Sequence, residues 1–511
     1  MSAPFAEAAA ELPALVSAHL LLSGSAVAIG ILVGLPLAII SARSRRVRGP
    51  VLAFAGLVQT VPALALLALF YPMLLILGQT TGLAIPSLGF LPALLALSLY
   101  ALLPIVRNGV VALTGIDPAV IEAADGMGMT APQRLRIVEL PLGAPVILAG
   151  IRTASVWTIG AATLATTVGQ PSLGNLIFSG LQTENWVRVL VGCAAAAALA
   201  LIVDGCLALV ESGLARRSRM RLWSGLGLLA AAMLVVLIPG RAAPADETVV
   251  IGAKNFSEQY ILASAIEARL RAAGYLTERR DNLGSTVAYQ ALVAGEIDVY
   301  VDYGGTLWTN ILGRADTPPP ETMRAALTEA LRARDGVRVL GPLGFENAYA
   351  LAMRRGRAGE LGIGSLDELS RAAPSLRLGA DLEFLTRPEW RTVRDAYRLR
   401  FADQRPYSPT FMYRALSEGS ADVITAFSSD GRIAALDLVT LADPRRALPS
   451  YEALVLLSPR RANDARFAGA LAPLIGAISV ERMRQANLLV DRDADKRTPA
   501  EAARWLDPPQ R

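Results

Sequence analysis

Histidine and lysine are nearly missing from this chain. Of its 511 residues one is histidine, His19, and two are lysine, Lys254 and Lys496. A single imidazole leaves almost no material for a Ser-His-Asp triad or a metal centre built on several histidines. No Gly-Lys-Ser/Thr occurs, so the chain carries no Walker-type phosphate loop of its own. Cysteine is equally scarce, and Cys193 and Cys206 share one apolar stretch. On a helix they would stand about 20 Å apart at ~1.5 Å per residue, too far to bridge. The C-terminal half has no cysteine, so disulfides do not define its compartment. Neither a metal nor a cofactor is expected.

Charge is short as well, at 18% of residues against 53% hydrophobic. Ordinary soluble domains run at about 25% and 45–50%. The shortage is local: residues 1–240 hold 13 Arg and 9 Asp/Glu, while residues 241–511 hold 36 Lys/Arg and 35 Asp/Glu. That division predicts a membrane half followed by a soluble half. The net charge of +5 is small, and four of the five units fall in residues 1–240. No nucleic-acid partner is expected; membrane orientation accounts for the excess better.

A spanning helix needs about 20 apolar residues. Six stretches qualify, at 18–40, 51–77, 87–106, 145–168, 189–212 and 222–240. The first is not read as a cleaved signal peptide, because the charges before it are Glu7 and Glu11. Arg43, Arg45, Arg46 and Arg48 follow the first stretch; Arg107, Arg134 and Arg136 separate the third and fourth; Arg216, Arg217, Arg219 and Arg221 separate the fifth and sixth. The loop at 78–86 is uncharged and that at 169–188 carries only Glu184 and Arg188. The positive-inside rule then sets the N-terminus and, after six spans, the soluble half outside the cytoplasm. Asp204 lies within the fifth stretch, where an acid is costly; the plainer expectation is a satisfied polar contact inside the bundle.

The cytoplasmic loop between the third and fourth spans reads Glu122-Ala123-Ala124, three residues, Gly128, nine residues, then Val138-Glu139-Leu140-Pro141. Physically this predicts a short helix, a glycine break and a second helix that stops before the proline. The loop resembles the EAA coupling loop of bacterial ABC importer permeases, with Val138 in place of the usual Ile. The resemblance implies that Glu122, Ala123, Ala124, Gly128, Leu140 and Pro141 dock in a groove on a cytoplasmic ATPase subunit. The runs Gln59–Leu67 and Trp157–Leu164, with Gly169 to Gly174 after the second, are similar to runs in glycine betaine/choline-type permeases. They imply an all-α, six-helix, type I permease domain over 1–240, a homodimer in the membrane lipid.

Residues 241–247 read as a short polar linker, of at most about 25 Å when extended. From Thr248 the pattern alternates strand and helix: strands at Val249–Ala253, Asp298–Val301 and Val337–Leu340, and helices from Ser257, at Ser285–Gly295 and at Thr322–Arg334. Such alternation predicts an α/β fold with parallel strands over 248–511. Ala348–Met353 and Tyr451–Leu457 fall where a chain would cross twice between lobes. The expected architecture is a two-lobed type II periplasmic-binding-protein domain, with its second lobe near 345–450.

Five ordered stretches resemble the glycine betaine, carnitine and choline (osmoprotectant) binding proteins: Gly252–Gln259, Asp298–Thr306, Gly344–Tyr349, Glu383–Arg387 and Phe427–Arg432. The ligand chemistry fits such residues. A quaternary ammonium donates no N–H hydrogen bond, so aromatic faces hold it through cation–π attraction; a carboxylate wants cationic and hydroxyl donors. The resemblance implies a cage of Tyr303, Tyr349, Phe427 and Tyr451. It implies a carboxylate clamp of Lys254, Thr306 and Arg387, with Gln259 assisting. Phe427 stands where tyrosine is usual, and Asn347 where some members have an acid. Related fused proteins take up ergothioneine, a trimethylated histidine betaine.

The expected function is therefore a fused permease and binding protein of an ABC importer for quaternary-ammonium solutes, with ATP hydrolysis in a separate subunit. Two other readings are a polar amino-acid importer and a ligand-gated channel or receptor. A channel has no use for the Glu122–Pro141 loop.

Overall fold

The computed structural model describes residues 3–83, 85–183, 185–237, 248–314, 316–407, 409–492 and 495–507. The expected linker at 241–247, the last residues of the sixth stretch at 238–240 and Glu184 lie outside the described residues. The chain divides into an N-terminal helical unit and a C-terminal α/β unit.

In the helical unit, four helices among the described residues are long and apolar enough to cross a membrane: Phe5–Arg43, Phe90–Thr114, Ala131–Val168 and Trp186–Ala215. The stretch expected as one span at 51–77 is instead two helices, Arg45–Thr60 and Ala63–Gly78, bent by 100°. The cause is Val61-Pro62. Val61 is extended, at φ −74° and ψ 125°, as a residue before proline prefers. Pro62 has no N–H to continue the ladder. The Tyr100 hydroxyl donates to the freed Val61 carbonyl at 2.6 Å. Helix Arg219–Leu237 covers the described part of the sixth stretch. Close approach of Phe90–Thr114 and Leu140–Ala162 rests on small residues: a Cβ at Gly150 would stand 2.6 Å from that of Asn108 and one at Gly143 3.2 Å from that of Ala112, while Ala101 and Ala154 pack among Ile105, Ile147 and Ile151.

The loop ahead of that last helix departs from expectation in one respect. Helix Pro118–Gly126 starts on an Asp117 cap whose carboxylate accepts the Ala119 N–H at 2.9 Å. Gly128 then turns the chain at φ +77°, a conformation that favours glycine. The second helix opens at Ala131 on a Thr130–Gln133 capping box. It does not stop before Pro141. A π turn over Leu135–Glu139, with Leu140 N–H donating to the Leu135 carbonyl, carries it past the proline and on to Ala162. The wider turn absorbs the missing N–H.

Among the described residues the α/β unit has ten strands: β1 Thr248–Lys254, β2 Leu276–Leu283, β3 Val299–Tyr303, β4 Arg338–Glu346, β5 Tyr349–Arg354, β6 Arg377–Asp381, β7 Asp403–Tyr407, β8 Val423–Phe427, β9 Leu438–Thr440 and β10 Glu452–Leu457. They form two five-stranded sheets, ordered β2-β1-β3-β10-β4 and β7-β6-β8-β5-β9. The sheets are mixed rather than all parallel: β10 runs antiparallel to β3 and β4, and β5 to β8 and β9. Both strands enter directly from the other sheet, without the helical crossover that a parallel connection requires. The polar edge strand β2, parallel to β1, has no counterpart in the pattern read from sequence. The chain leaves the first sheet after Glu346 and returns at Glu452; these two residues pair across β4 and β10. Helix Ser257–Ala272 packs Ile261, Ile266 and Leu270 on the first sheet. It begins at Ser257, as expected, with Phe256 in the cap position.

Candidate functional site

The two crossings run side by side, with the Asn347 N–H donating to the Tyr451 carbonyl at 3.0 Å. Four aromatic rings meet beside them. Tyr349, first residue of β5, is opposite Phe427, last of β8, in the antiparallel register. Their ring centroids are 4.9 Å apart. Tyr349 also meets Phe384 at 4.8 Å and Tyr451, edge-on, at 5.6 Å. Phe384 is turned inward by a five-residue helix, Leu382–Thr386, whose start is capped by Asp381. Gly305 lies flat beneath Tyr451; a Cβ there would stand 2.6 Å from the ring. Thr306, the next residue, is buried.

Arg387 completes this cluster. It sits between the Leu382–Thr386 helix and Pro388–Tyr397. Its guanidinium carbon lies 5.3 Å from the centre of the Tyr349 ring, within cation–π range. Its Nε and Nη2 donate to Glu389 Oε1 at 3.1 and 2.8 Å, and the Tyr451 hydroxyl donates to the same oxygen at 2.5 Å. Burial favours the neutral Glu389 acid, but the bonds from Arg387 and Tyr451 outweigh it and hold the carboxyl below its ordinary range. A cation therefore already lies against Tyr349, and it is the protein's own.

A second cluster surrounds Glu258, at the start of helix Ser257–Ala272. The carboxylate accepts from the Tyr303 hydroxyl at 2.6 Å, Asn347 Nδ2 at 3.0 Å and Asn487 Nδ2 at 3.0 Å. Burial nonetheless raises its pKa above the ordinary value; the hydrogen bonds offset part of that. Tyr303 stacks on Phe256 at 6.1 Å. Three buried acceptor oxygens, Glu389 Oε2, Asn347 Oδ1 and Asn487 Oδ1, have no hydrogen-bond donor among the described residues.

Tyr349, Phe427, Tyr451 and Arg387 are thus brought together as expected from sequence, and Asn347 adjoins them through its backbone. Tyr303 belongs to the second cluster. Lys254, expected at a carboxylate clamp, is instead buried in an ion pair with Asp302, which also accepts from the Tyr300 hydroxyl at 2.6 Å. Its ammonium is committed to that carboxylate. Gln259 is committed likewise, donating to the Tyr303 hydroxyl at 3.0 Å and accepting the Lys254 N–H at 3.3 Å. Sequence reading missed Phe384, Glu389 and Glu258. Phe384 and Glu258 both lie inside stretches that carried the resemblance, and Glu389 lies two residues after Arg387.

In the helical unit, Glu122 and Ala123 are exposed on the Pro118–Gly126 helix, as are Gly128 and Pro141, while Ala124 is buried and Leu140 partly so. Glu139, buried, accepts from Arg43 at 2.6 Å and Arg134 at 2.8 Å. Arg134 also bridges to Asp125 at 2.6 Å, tying the two short helices together.

Residues 247–507 match the family described as the substrate binding domain of ABC-type glycine betaine transport systems. Residues 30–216 match the binding-protein-dependent transport system inner membrane component. Over 444 residues, 84% of this chain, the sequence is 28% identical to the ergothioneine transport permease/ergothioneine binding protein EgtU of Helicobacter pylori (strain G27), covering 77% of that protein. The helical part is 37% identical over 204 residues to the choline transport system permease protein OpuBB of Bacillus subtilis (strain 168), covering 40% of this chain and 88% of the relative. It is 39% identical over 193 residues to the glycine betaine/carnitine/choline transport system permease protein OpuCB of the same strain, at 38% and 83% coverage.

Proposed function

The chain belongs to the ABC-type glycine betaine transport family, as a permease fused to its own substrate-binding domain, and from that premise we propose that it takes up a small quaternary-ammonium zwitterion such as glycine betaine, carnitine or ergothioneine, or the cation choline. The observation that carries the reading is the convergence of Tyr349, Phe384, Phe427 and Tyr451 around a cationic group. Aromatic faces hold a methylated cation by their quadrupole, and exclusion of water strengthens the attraction. Arg387 and Thr306 receive the ligand's carboxylate. Tyr303 and Asn347, both bound to Glu258, fix the crossing beside the cage. The unmatched oxygens of Glu389 and Asn347 suit a cationic guest. The rings touch one another in this conformation, so the ligand enters as the lobes part and displaces the Arg387 guanidinium from the face of Tyr349.

The permease half makes this an inner-membrane protein. In the fuller reading it crosses the membrane six times, with the N-terminus and the binding domain outside. The bent pair Arg45–Gly78 supplies one span and Arg219–Leu237 the sixth. Two copies pair, each served by an ATPase subunit in trans. Exposed Glu122, Ala123 and Gly128, with Pro141, meet that subunit, and the Asp125–Arg134–Glu139–Arg43 chain of ion pairs passes its movement to the membrane helices. Uptake of labelled glycine betaine, choline and ergothioneine by cells with and without the gene, in a host lacking other such systems, tests the reading. Equal uptake of all three would reject it.

A further inference from the structure

A second set of charges lies within the membrane helices. Arg152, on helix Leu140–Ala162, donates Nε and Nη2 to the two oxygens of Asp204, on helix Trp186–Ala215, at 2.9 Å each. Its Nη1 donates to Glu211 Oε2 at 2.7 Å. Asp204 therefore has the polar partner expected of it. Yet the three side chains keep 27–30% of their surface open. Arg152 and Asp204 line a cleft of about 480 Å³ together with Thr153, Trp157 and Leu201. The volume is that of a small-molecule pocket, roughly 300–1,000 Å³.

Position makes the opening significant. Arg152 lies eleven residues beyond Pro141, and Asp204 eleven before Ala215. At ~1.5 Å per residue Arg152 is about 16 Å along its helix from Pro141 and Asp204 about 16 Å from Ala215, near the middle of a ~30 Å hydrocarbon layer. Ionisable groups at that depth are rarely left facing lipid; they face the bundle interior or a water-filled route. One cation and two carboxylates leave a negative charge in excess. Trp157, with half its surface exposed, adds an aromatic face to the same cleft.

We infer that the Arg152–Asp204–Trp157 cleft is a second solute site, a station on the route through the membrane for the same quaternary-ammonium zwitterion. The ligand exchanges partners with the ion pair. Its carboxylate takes Nε and Nη2 of Arg152 in place of Asp204, and Glu211 keeps Nη1. Its methylated cation sits between the released Asp204 carboxylate and the Trp157 indole. The zwitterion brings one charge of each sign, so the exchange leaves the net charge of the cleft unchanged and the site holds the solute without trapping it. This inference rests on the transport reading above.

The test uses the full chain with its ATPase subunit in liposomes, measuring ATP-driven uptake of whichever of glycine betaine, carnitine or ergothioneine the wild-type complex accepts. Asp204→Asn is expected to lower maximal uptake at least tenfold and Trp157→Leu about threefold or more. The solute concentration giving half-maximal uptake, set by the outer domain, is expected to stay within twofold, and Asp204→Glu to restore most of the rate. Trp157→Leu leaves the ion pair intact, so it decides the matter if Asp204→Asn fails to assemble. Wild-type uptake in Trp157→Leu, or in an assembled Asp204→Asn complex, overturns the second site and leaves the functional reading standing. A wild-type complex that moves none of these three solutes, and not choline either, overturns both.

Discussion

Replacing Tyr349 with leucine separates the two things an aromatic ring gives this site, bulk and a π face. Tyr349 is 7% exposed and touches three other rings at 4.8, 4.9 and 5.6 Å. Each such pair contributes about 0.5–1.5 kcal/mol beyond area burial. Leucine keeps most of the apolar contact, so the expected loss of stability is about 2–4 kcal/mol. At roughly 2–4 °C per kcal/mol for a domain of this size, the melting temperature falls by about 5–15 °C and the domain stays folded. The effect on binding has a different signature. Cation–π attraction contributes about 0.5–2 kcal/mol, a factor of about 2–30 in Kd. A neutral ligand of the same shape does not receive it. Calorimetry on the full-length chain, comparing choline with 3,3-dimethylbutanol and glycine betaine with 3,3-dimethylbutyrate, measures this directly. Tyr349→Leu is expected to weaken the ammonium-bearing member of each pair by that factor more than its tert-butyl isostere. Equal weakening of both members would refute the cation–π argument and leave only packing.

Gly305→Ala puts a methyl against the Tyr451 ring at 2.6 Å; overpacking of this kind costs about 1–3 kcal/mol, and tilting the ring is expected to weaken ligand binding at least fivefold by calorimetry, whereas Gly304→Ala, with its nearest contact at 3.4 Å, leaves affinity within twofold. Burial, abetted by neighbouring Asp430, raises the Asp491 carboxyl to about 7 against the pull of Arg432, Ser257 and Lys496. Between about pH 4 and 7 the folded state then holds a proton that the unfolded chain does not, so this group's stabilisation is complete below pH 4 and fades as the pH rises through 7. Urea midpoints followed by fluorescence should fall over that range more steeply in the wild type than in Asp491→Asn; parallel slopes would refute the assignment. Glu139→Ala leaves Arg43 and Arg134 without their shared acceptor; ligand affinity should be unchanged while ligand-stimulated ATP hydrolysis by the assembled complex falls at least fivefold, and full stimulation would contradict the coupling role.

What could be read in advance follows from where the interactions lie along the chain. Tyr349 and Phe427 end apolar strand-like runs, and strand pairing alone brings such residues face to face. Glu389 escaped although Arg387 lies only two residues before it, because the contact that places both beside the rings is the bond from Tyr451, 62 residues away. Lys254 received its ligand role from the resemblance alone, and Asp302, which neutralises it, lies 48 residues on in another strand. An alternating pattern announces strands but carries no direction, so the antiparallel course of the two crossing strands, β5 and β10, could not be read from it. In the membrane half the opposite problem holds. Val61-Pro62 is a visible break, but the apolar average across it is high enough to read as one straight span. Pro141 misled in the other direction, since a local turn of five residues, Leu135–Glu139, lets a helix run through it.

The central claim is that an aromatic wall beside the lobe crossings grips a methylated cation. Titration of the purified full-length chain with glycine betaine, choline, carnitine, ergothioneine and glutamine bears on it most directly. The account predicts saturable heat with at least one of the four quaternary-ammonium compounds, lost in Tyr349→Ala, and none with glutamine. Binding of glutamine alone, or silence toward all four, would contradict it.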